Sequence, residues 1–410
     1  MTTGHVYVLG TCDTKQAELG YIARLLNESG VATRIVDVST RGAPAQAEIS
    51  ARTVAGFHPH GAQAVFCGDR GRSIGAMAEA LRRYLATRTD IAGVIAIGGS
   101  GGTALVTPAL QALPLGLPKL VVSTVASGNT APYVGGSDIA MLYSVTDMEG
   151  LNRLSRVILC NAAHAMAGMV RSPCPRQDDP RPAIGLTMFG VTTPCVDQVV
   201  HHLSGRFDCL VFHATGTGGR AMERLADDGT IRGLVDVTLT EFCDLVAGGI
   251  FPCDTDRLGA PIRTGLPYVG SCGGLDMVNF GARDTVPERY RQRRLVEHNP
   301  QITLMRTSAD ECREMGRMIG QQLNRCEGEV RFLYPEGGFS LLDQPGGPFY
   351  DPDADEAFYT ALDQTLEQTA RRRLIRLPHA INDPAFAAAL AHEFSCIFKE
   401  STDNAQYPPE

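Results

Sequence analysis

Two glycine-rich segments hold the residue types with which a chain binds phosphate. In "AIGGSGGTAL" (96–105), the run Gly98-Gly99-Ser100-Gly101-Gly102 ends an apolar stretch and opens onto a helical pattern. Successive glycines let backbone N–H groups approach an anion, and the helix start adds its dipole. In "GTCDTK" (10–15), Gly10 permits close backbone approach and the Thr11 and Thr14 hydroxyls can bond phosphate. Asp13 there can hold a metal or a hydroxyl, and Lys15, one of only three lysines in the chain, sets a cation at a helix start. Asp37 ends "RIVDVST", where a ribose hydroxyl is bonded in dinucleotide folds; the alternative is a carboxylate capping a helix. "FCGDRGRSIGAM" (66–77) adds Asp69, Arg70 and Arg72, with guanidinium groups suited either to a phosphate clamp or to a surface ion pair.

The same glycines allow other chemistries. Gly98-x-Ser100-x-Gly102 fits a serine nucleophile elbow, which needs an acid and then a histidine later in the same domain. In the first domain only His164 follows Ser100, inside an amphipathic helical pattern, so a serine hydrolase is the weaker reading. Gly99-x-Gly101-x-x-Ala104 matches a permissive GxGxxA spacing, but no acidic residue ends the next strand. No GxxxxGK[ST] occurs, so this is not a P-loop NTPase.

These loops need strands and helices to hold them. From "HVYVLG" through "KQAELGYIARLLNESG", "TRIVDVST", "AQAVFCG", "SIGAMAEALRRYLA" and "GVIAIGG" to "KLVVSTV", β-branched runs alternate with amphipathic ones. That alternation predicts a parallel sheet covered on both faces. On this count "GGSGGT" follows the fourth strand and faces the first-strand loop across a switch-point crevice. The pattern resumes with "AIGLTMFG", "DCLVFHATGTGG", "YVGSCGGLDMV", "ITLMRTS" and "EVRFLYPEGG". We therefore expect an α/β protein of two Rossmann-like doubly wound subdomains with mainly parallel sheets, each with its ligand face at the carboxyl ends of its strands. The domains span 1–180 and 183–400, with "RSPCPRQDDPRP" (171–182) as linker.

Bulk composition sets limits. The chain has 410 residues, 44% of them hydrophobic and 20% charged, which suits a globular fold. A net charge of -8 argues against a nucleic-acid footprint, and "RYRQRRL" (289–295) reads as a solvated helical face. The twelve cysteines show no zinc spacing and read as reduced thiols of a cytoplasmic protein. No signal peptide and no membrane span are expected.

The segments "GTCDTK", "VDVST", "GVIAIGGSGGTAL", "PKLVVSTVASGNTAPYVGGSDIAMLYSVTDMEGLNRLSRVILCNAA", "LDMVNFG", "HNPQITLMRT", "PEGG" and "INDPAFA" together resemble the UPF0261, or Tm-1-like ATP-binding, family over nearly the whole chain. The resemblance implies ATP and Mg²⁺ in the first domain and a homodimer. Carried onto this sequence, it implies nucleotide contacts from Gly10, Thr11, Asp13, Thr14 and Lys15, and from Gly99, Ser100, Gly101, Gly102 and Thr103. It adds Ser123, Thr124 and Ser127 in "VSTVASG", and Gly135, Gly136, Ser137 and Asp138 in "YVGGSD", with Mg²⁺ near Asp13. In the second half, His213, Glu241, Cys272 and His298 form an acid, base and thiol set if their loops converge on a cleft. His213, Glu241 and Cys272 are the catalytic candidates. The expectation is an enzyme acting on a small carboxylate or carbonyl metabolite, with a nucleotide-sensing protein that binds a partner as the alternative.

Overall fold

The computed structural model describes residues 4–42, 46–172 and 179–404. The chain divides into two compact units, Met1–Gln177 and Asp178–Glu410. Part of the expected linker, 173–178, lies outside the described residues.

The first unit runs β1 (His5–Gly10), α1 (Cys12–Glu28), β2 (Thr33–Asp37), α2 (Ala51–Ala55), α3 (Arg70–Ala86), β3 (Ile91–Gly98), α4 (Ser100–Gln111), β4 (Lys119–Ser123), α5 (Ala131–Val134), β5 (Ala140–Tyr143) and α6 (Arg153–Arg171). Its sheet is wholly parallel, in the order β2-β1-β3-β4-β5. Because the sheet is covered on both faces, its strands bury alternate residues in two separate cores. Tyr7 and Leu9 pack with α2, α3 and α4, whereas Val6 and Val8 pack with α1 and α6.

One expected strand is absent. "AQAVFCG" forms only a short 3-10 turn at Ala62–Ala64. Gly61 at φ 76° and Gly68 at φ 83° break the chain on either side of Val65, leaving too short a run to pair. "GGSGGT" therefore follows the third strand, not the fourth. Since β1 pairs with both β2 and β3, the switch point still lies between the two glycine loops.

The second unit runs β6 (Ala183–Met188), α7 (Thr193–Leu203), β7 (Asp208–His213), α8 (Thr217–Asp227), β8 (Ile231–Thr238), α9 (Glu241–Ala247), α10 (Gly259–Thr264), β9 (Tyr268–Gly273), β10 (Met277–Phe280), β11 (Leu295–Asn299), β12 (Ile302–Arg306), α11 (Ala309–Asn324), β13 (Val330–Pro335), α12 (Pro352–Thr365), β14 (Arg372–Leu377) and α13 (Pro384–Asn404). Six parallel strands follow the doubly wound order β14-β13-β9-β8-β6-β7.

This unit departs from expectation at its carboxyl edge. "ITLMRTS" belongs to a separate antiparallel sheet, β10-β12-β11, and "YVGSCGGLDMV" is split into β9 and β10 at Gly274, where φ is 72°. Val191, after β6, is buried with Met277, Leu304 and Phe349, and its carbonyl accepts from Leu341 N at 3.1 Å. The antiparallel insert and the 339–349 segment thus close over the switch point of the second sheet. The carboxyl ends of β8 and β9 are packed, while His213 at the end of β7 stays exposed.

No helix among the described residues is long and apolar enough to cross a membrane.

Candidate functional site

The first unit opens a cavity of about 910 Å³ at the carboxyl edge of its sheet. Three helix starts meet there. Thr11 precedes α1 and Gly99 precedes α4, neither giving a side-chain cap, while Asp69 caps α3 by accepting from Arg72 N at 2.8 Å. The first N–H groups of a helix have no partner within it, so the α4 start leaves donors for a ligand, whereas at α1 Cys12 N and Asp13 N are already taken by Asp37 Oδ1 and Ser39 Oγ, at 3.0 and 3.1 Å. Gly98 makes α4 possible at this place: a Cβ on it would lie 2.9 Å from the backbone of Gly102 and Thr103. A Cβ on Gly101, by contrast, would make only ordinary contacts, 3.5 Å from Ile74 and 3.6 Å from Arg70.

The α1 loop is held firmly. The Thr11 and Thr14 hydroxyls lie 2.8 Å apart, and Lys15, whose backbone leaves the helical region, donates from Nζ to the Met148 carbonyl at 2.5 Å. Glu18, buried one turn further on, accepts from Gly150 N at 2.6 Å. Together Lys15 and Glu18 tether the "DMEG" segment (147–150) to α1 and bring Asp147 and Glu149 to the cavity beside Asp13. Sequence reasoning passed over these two carboxylates, because they lie more than a hundred residues from Asp13 and follow an unremarkable strand. It also passed over Thr40, Arg41 and Phe66, which line the cavity on the β2 side.

Of the expected contacts, Thr11, Asp13, Thr14, Lys15, Asp69, Arg70, Gly99, Ser100, Gly101 and Gly102 line this one cavity. Others serve the scaffold. Gly10 lets β1 close on α1, since a Cβ there would lie 2.9 Å from Leu19. Asp37 is buried, and its Oδ1 accepts from Cys12 N at 3.0 Å and Ser39 N at 2.9 Å; it fixes the start of α1 and leaves no carboxylate for a ribose. Thr103 and Ser123 are buried with their hydroxyls 2.6 Å apart. Thr124 flanks Gly99 without lining the cavity, and Ser127 is exposed beyond it.

Gly135, Gly136, Ser137 and Asp138 lie at the wrong edge of the sheet. They precede β5, whose Ala140 pairs with Leu120 near the start of β4, so they sit at the amino ends of the strands. Asp138 there pairs with the buried Lys119 at 2.6 Å. Burial alone would raise the Asp138 carboxyl, but Lys119 and Gly116 N hold it below the usual range.

Asp13 accepts from Ser39 Oγ at 3.1 Å through Oδ1, which leaves its other oxygen for a ligand. No three metal-binding side chains come together among the described residues. A Mg²⁺ ion here fits only its usual mode with phosphates, one or two carboxylates plus phosphate oxygens and water, drawn from Asp13, Asp147 and Glu149. No histidine lines the cavity, and His164 sits on α6 with Nδ1 3.8 Å from Cys160 Sγ. Among the described residues Ser100 therefore has no histidine beside it in the cavity.

The catalytic set expected in the second unit does not assemble. Cys272 is fully buried in β9, and burial pushes its thiol well above the ordinary value, with Asp355 and Asp343 adding to the shift. Glu241 is buried on the opposite account: it pairs with Arg257 at 3.2 Å, and burial raises its carboxyl despite that partner. His213 stacks on Phe189 at 4.7 Å with its ring nearly parallel, and burial lowers its imidazole. His298 is exposed on β11. Cys272 and Glu241 are thus enclosed by packing and ion pairing, while His213 at the end of β7 and His298 on β11 are exposed. The basic run 289–294 is likewise engaged, Arg293 with Glu311 at 2.8 Å and Arg294 with Asp351 at 3.1 Å.

Comparison with known proteins follows the same division. Residues 4–175 match the N-terminal domain and 181–398 the C-terminal domain of an uncharacterised protein family, UPF0261. A UPF0261 protein of Mesorhizobium japonicum is 57% identical over 387 residues, 94% of this chain and 97% of that protein. A UPF0261 protein of Clostridium tetani is 41% identical over 392 residues, 94% of this chain and 97% of that protein. The ToMV resistance protein Tm-1(GCR237) of Solanum lycopersicum is 40% identical over 431 residues, which are 99% of this chain but only 57% of the tomato protein. Matched along both of its units, the chain belongs to the UPF0261 family.

Proposed function

We propose that the first unit binds ATP with Mg²⁺, its phosphates lying between the starts of α1 and α4. The observation that carries this reading is the convergence of the uncapped α4 start, the Thr11 and Thr14 hydroxyls of the α1 loop and Lys15 on one cavity. Backbone donors and helix dipoles favour a polyphosphate, and Arg70, near Gly101, adds a bidentate donor. Bound Mg²⁺ would neutralise phosphate charge, with Asp13, Asp147 and Glu149 as the carboxylates within the cavity. Chemistry on a small carboxylate or carbonyl substrate falls to this unit, since the second supplies no assembled acid, base or thiol.

Calorimetric titration tests the reading. Saturable ATP binding that strengthens with Mg²⁺ is expected, and its absence would overturn the proposal. Gly101→Val adds a branched side chain where a Cβ meets only ordinary contacts with Ile74 and Arg70 and should fold normally, yet weaken ATP by at least about tenfold. Equal affinity in that variant would move the phosphates elsewhere.

A partner-binding role has its own support. Leu154, Val157 and Met169 stand exposed on one face of α6, and Tyr143 and Val145 are exposed at the end of the edge strand β5. Exposed apolar side chains at helical spacing beside an unpaired strand edge invite cover. We assign that cover to a second copy of the chain. Light scattering should give the mass of two chains for the wild type and of one for Val157→Arg; a single-chain mass in the wild type removes the homodimer.

A further inference from the structure

The cavity has a second anion-seeking end that the phosphate loops do not use. Its lining passes from the β3 loop (Gly99–Gly102), across the β1 loop (Thr11–Lys15), to Thr40 and Arg41 beyond β2. Adjacent strands are about 5 Å apart, so β2 and β3 present their ends roughly 10 Å from one another across β1. That is comparable to the reach from a 5′-phosphate across its sugar.

The chemistry at the β2 end is specific. The carboxylate normally used there to bond the free ribose hydroxyls is missing: Asp37 is turned inward and holds Cys12 N and Ser39 N. In its place Arg41 is exposed on the cavity wall. Next to it the Phe66 ring lies 3.7 Å from a Cβ built on Gly42, offering a flat apolar wall against which a purine can stack. In dinucleotide folds an inward or absent acid with an arginine nearby marks a site that accepts a phosphorylated ribose.

We propose that, besides ATP, this cavity takes adenine nucleotides with a second phosphate on the ribose, a 2′- or 3′-phosphate bound by Arg41, while their 5′-phosphates lie at the α4 start and the Thr11 and Thr14 hydroxyls. This rests on the phosphate placement given above and extends it to a second class of ligand. Two ligand classes share the chemistry, 2′-phosphorylated dinucleotides and the 3′-phosphorylated coenzyme A type. A cavity of about 910 Å³ falls near the upper end of the range for small-molecule sites, large enough for either to extend beyond a mononucleotide.

Titration of the full chain with AMP, adenosine 2′,5′-bisphosphate, adenosine 3′,5′-bisphosphate and ATP decides the matter. One bisphosphate should bind at least about tenfold tighter than AMP, since a guanidinium–phosphate pair is a charge-assisted double hydrogen bond. Preference for the 2′,5′ isomer assigns the dinucleotide class, and preference for the 3′,5′ isomer assigns the coenzyme A class. Arg41→Gln should erase the bisphosphate advantage and leave ATP affinity within about twofold. If ATP binds but neither bisphosphate exceeds AMP, or if the advantage survives Arg41→Gln, this inference fails alone. If no adenine nucleotide binds, the phosphate placement fails with it.

Discussion

Arg257→Ala should remove roughly 3–5 kcal/mol from the stability of the second unit, the cost of leaving buried charge without its partner. Arg257 is buried, and its guanidinium reaches Asp236 at 2.7 Å, Glu223 at 2.9 Å and Glu241 at 3.2 Å. Burial pulls the guanidinium down, yet the three carboxylates together hold it well above its ordinary value. They come from β8, α8 and α9, so one cation joins three elements around the sheet. Thr187 on β6 and Tyr268 on β9 also donate to Asp236, at 2.6 and 3.2 Å, while Leu258 N and Ala260 N donate to Glu223. Without Arg257 those acids must take up protons or admit water. Chemical denaturation of the variant should show an early transition confined to the second unit, with exchange protection retained in β1 and β3. Adding Glu223→Gln and Glu241→Gln to Arg257→Met should recover part of the loss, because neutral side chains no longer need the cation. An unchanged midpoint in Arg257→Ala would refute the role of the cluster.

The fold class and half of the first cavity were readable from local sequence, because their signals are local. Apolar alternation marks buried parallel strands, and Gly99-Ser100-Gly101-Gly102 and Thr11–Lys15 are contiguous loops whose chemistry is written within a few residues. What escaped depends on pairing across distance. Asp147 and Glu149 join the cavity only through Lys15 and Glu18, and nothing near residue 147 announces that tether. "YVGGSD" carries the glycines of a phosphate loop, but they serve a turn that precedes a strand. Gly135 has φ 55°, and Asp138 answers Lys119. Loop composition alone does not say which end of a sheet a loop occupies. Asp69 shows the reverse: a carboxylate in a phosphate-like motif is also a sound helix cap, and the structure uses it as one at the cavity wall.

The second unit was misread for a related reason. His213, Glu241 and Cys272 all sit at or near strand ends, which is where chemistry gathers in open α/β sheets. The antiparallel insert and the 339–349 segment turn the part of that edge holding Glu241 and Cys272 into interior, where a polar residue must find a partner or give up its charge, and leave His213 exposed at the end of β7. Ion clusters have taken the place of a binding crevice. The two units thus share a winding but not a use for their carboxyl edges, open over β1 and β3 in the first and sealed over β6 and β8 in the second.

The sealed edge should make the second unit less stable as pH rises, the reverse of a protein held by ordinary salt bridges. Arg306 on β12 is buried, with Asp355 of α12 at 2.6 Å and Asp343 at 3.7 Å. Asp276, after β9, accepts from Ser340 Oγ at 2.7 Å, and Cys272 and Cys312 lie close enough to feel the same charges. One guanidinium faces three carboxyls. Burial, then the neighbouring Asp343 charge, raises both the Asp276 and Asp355 carboxyls; Asp244, buried against Asn279, is pushed up to about 7. For an acid whose folded value is raised, the protonated form is favoured in the native state. Its stabilisation is complete below the unfolded value near 4 and is lost as pH climbs through the native one. Between pH 5 and pH 8 this unit should lose about 3 kcal/mol, a fall in melting temperature of roughly 6–12 °C for its size. Asp355→Asn keeps an oxygen for Arg306 and an N–H for Asp343, but cannot ionise. It should raise the melting temperature at pH 8, leave it nearly unchanged at pH 5, and flatten the profile between them. Calorimetric scans across that range, with exchange in β12 and in 339–343 assigning the transition to this unit, provide the measurement. A profile that rises with pH in the wild type, or one left equally steep by Asp355→Asn, would show that these carboxyls are ionised in the fold and that the edge is held by charge after all.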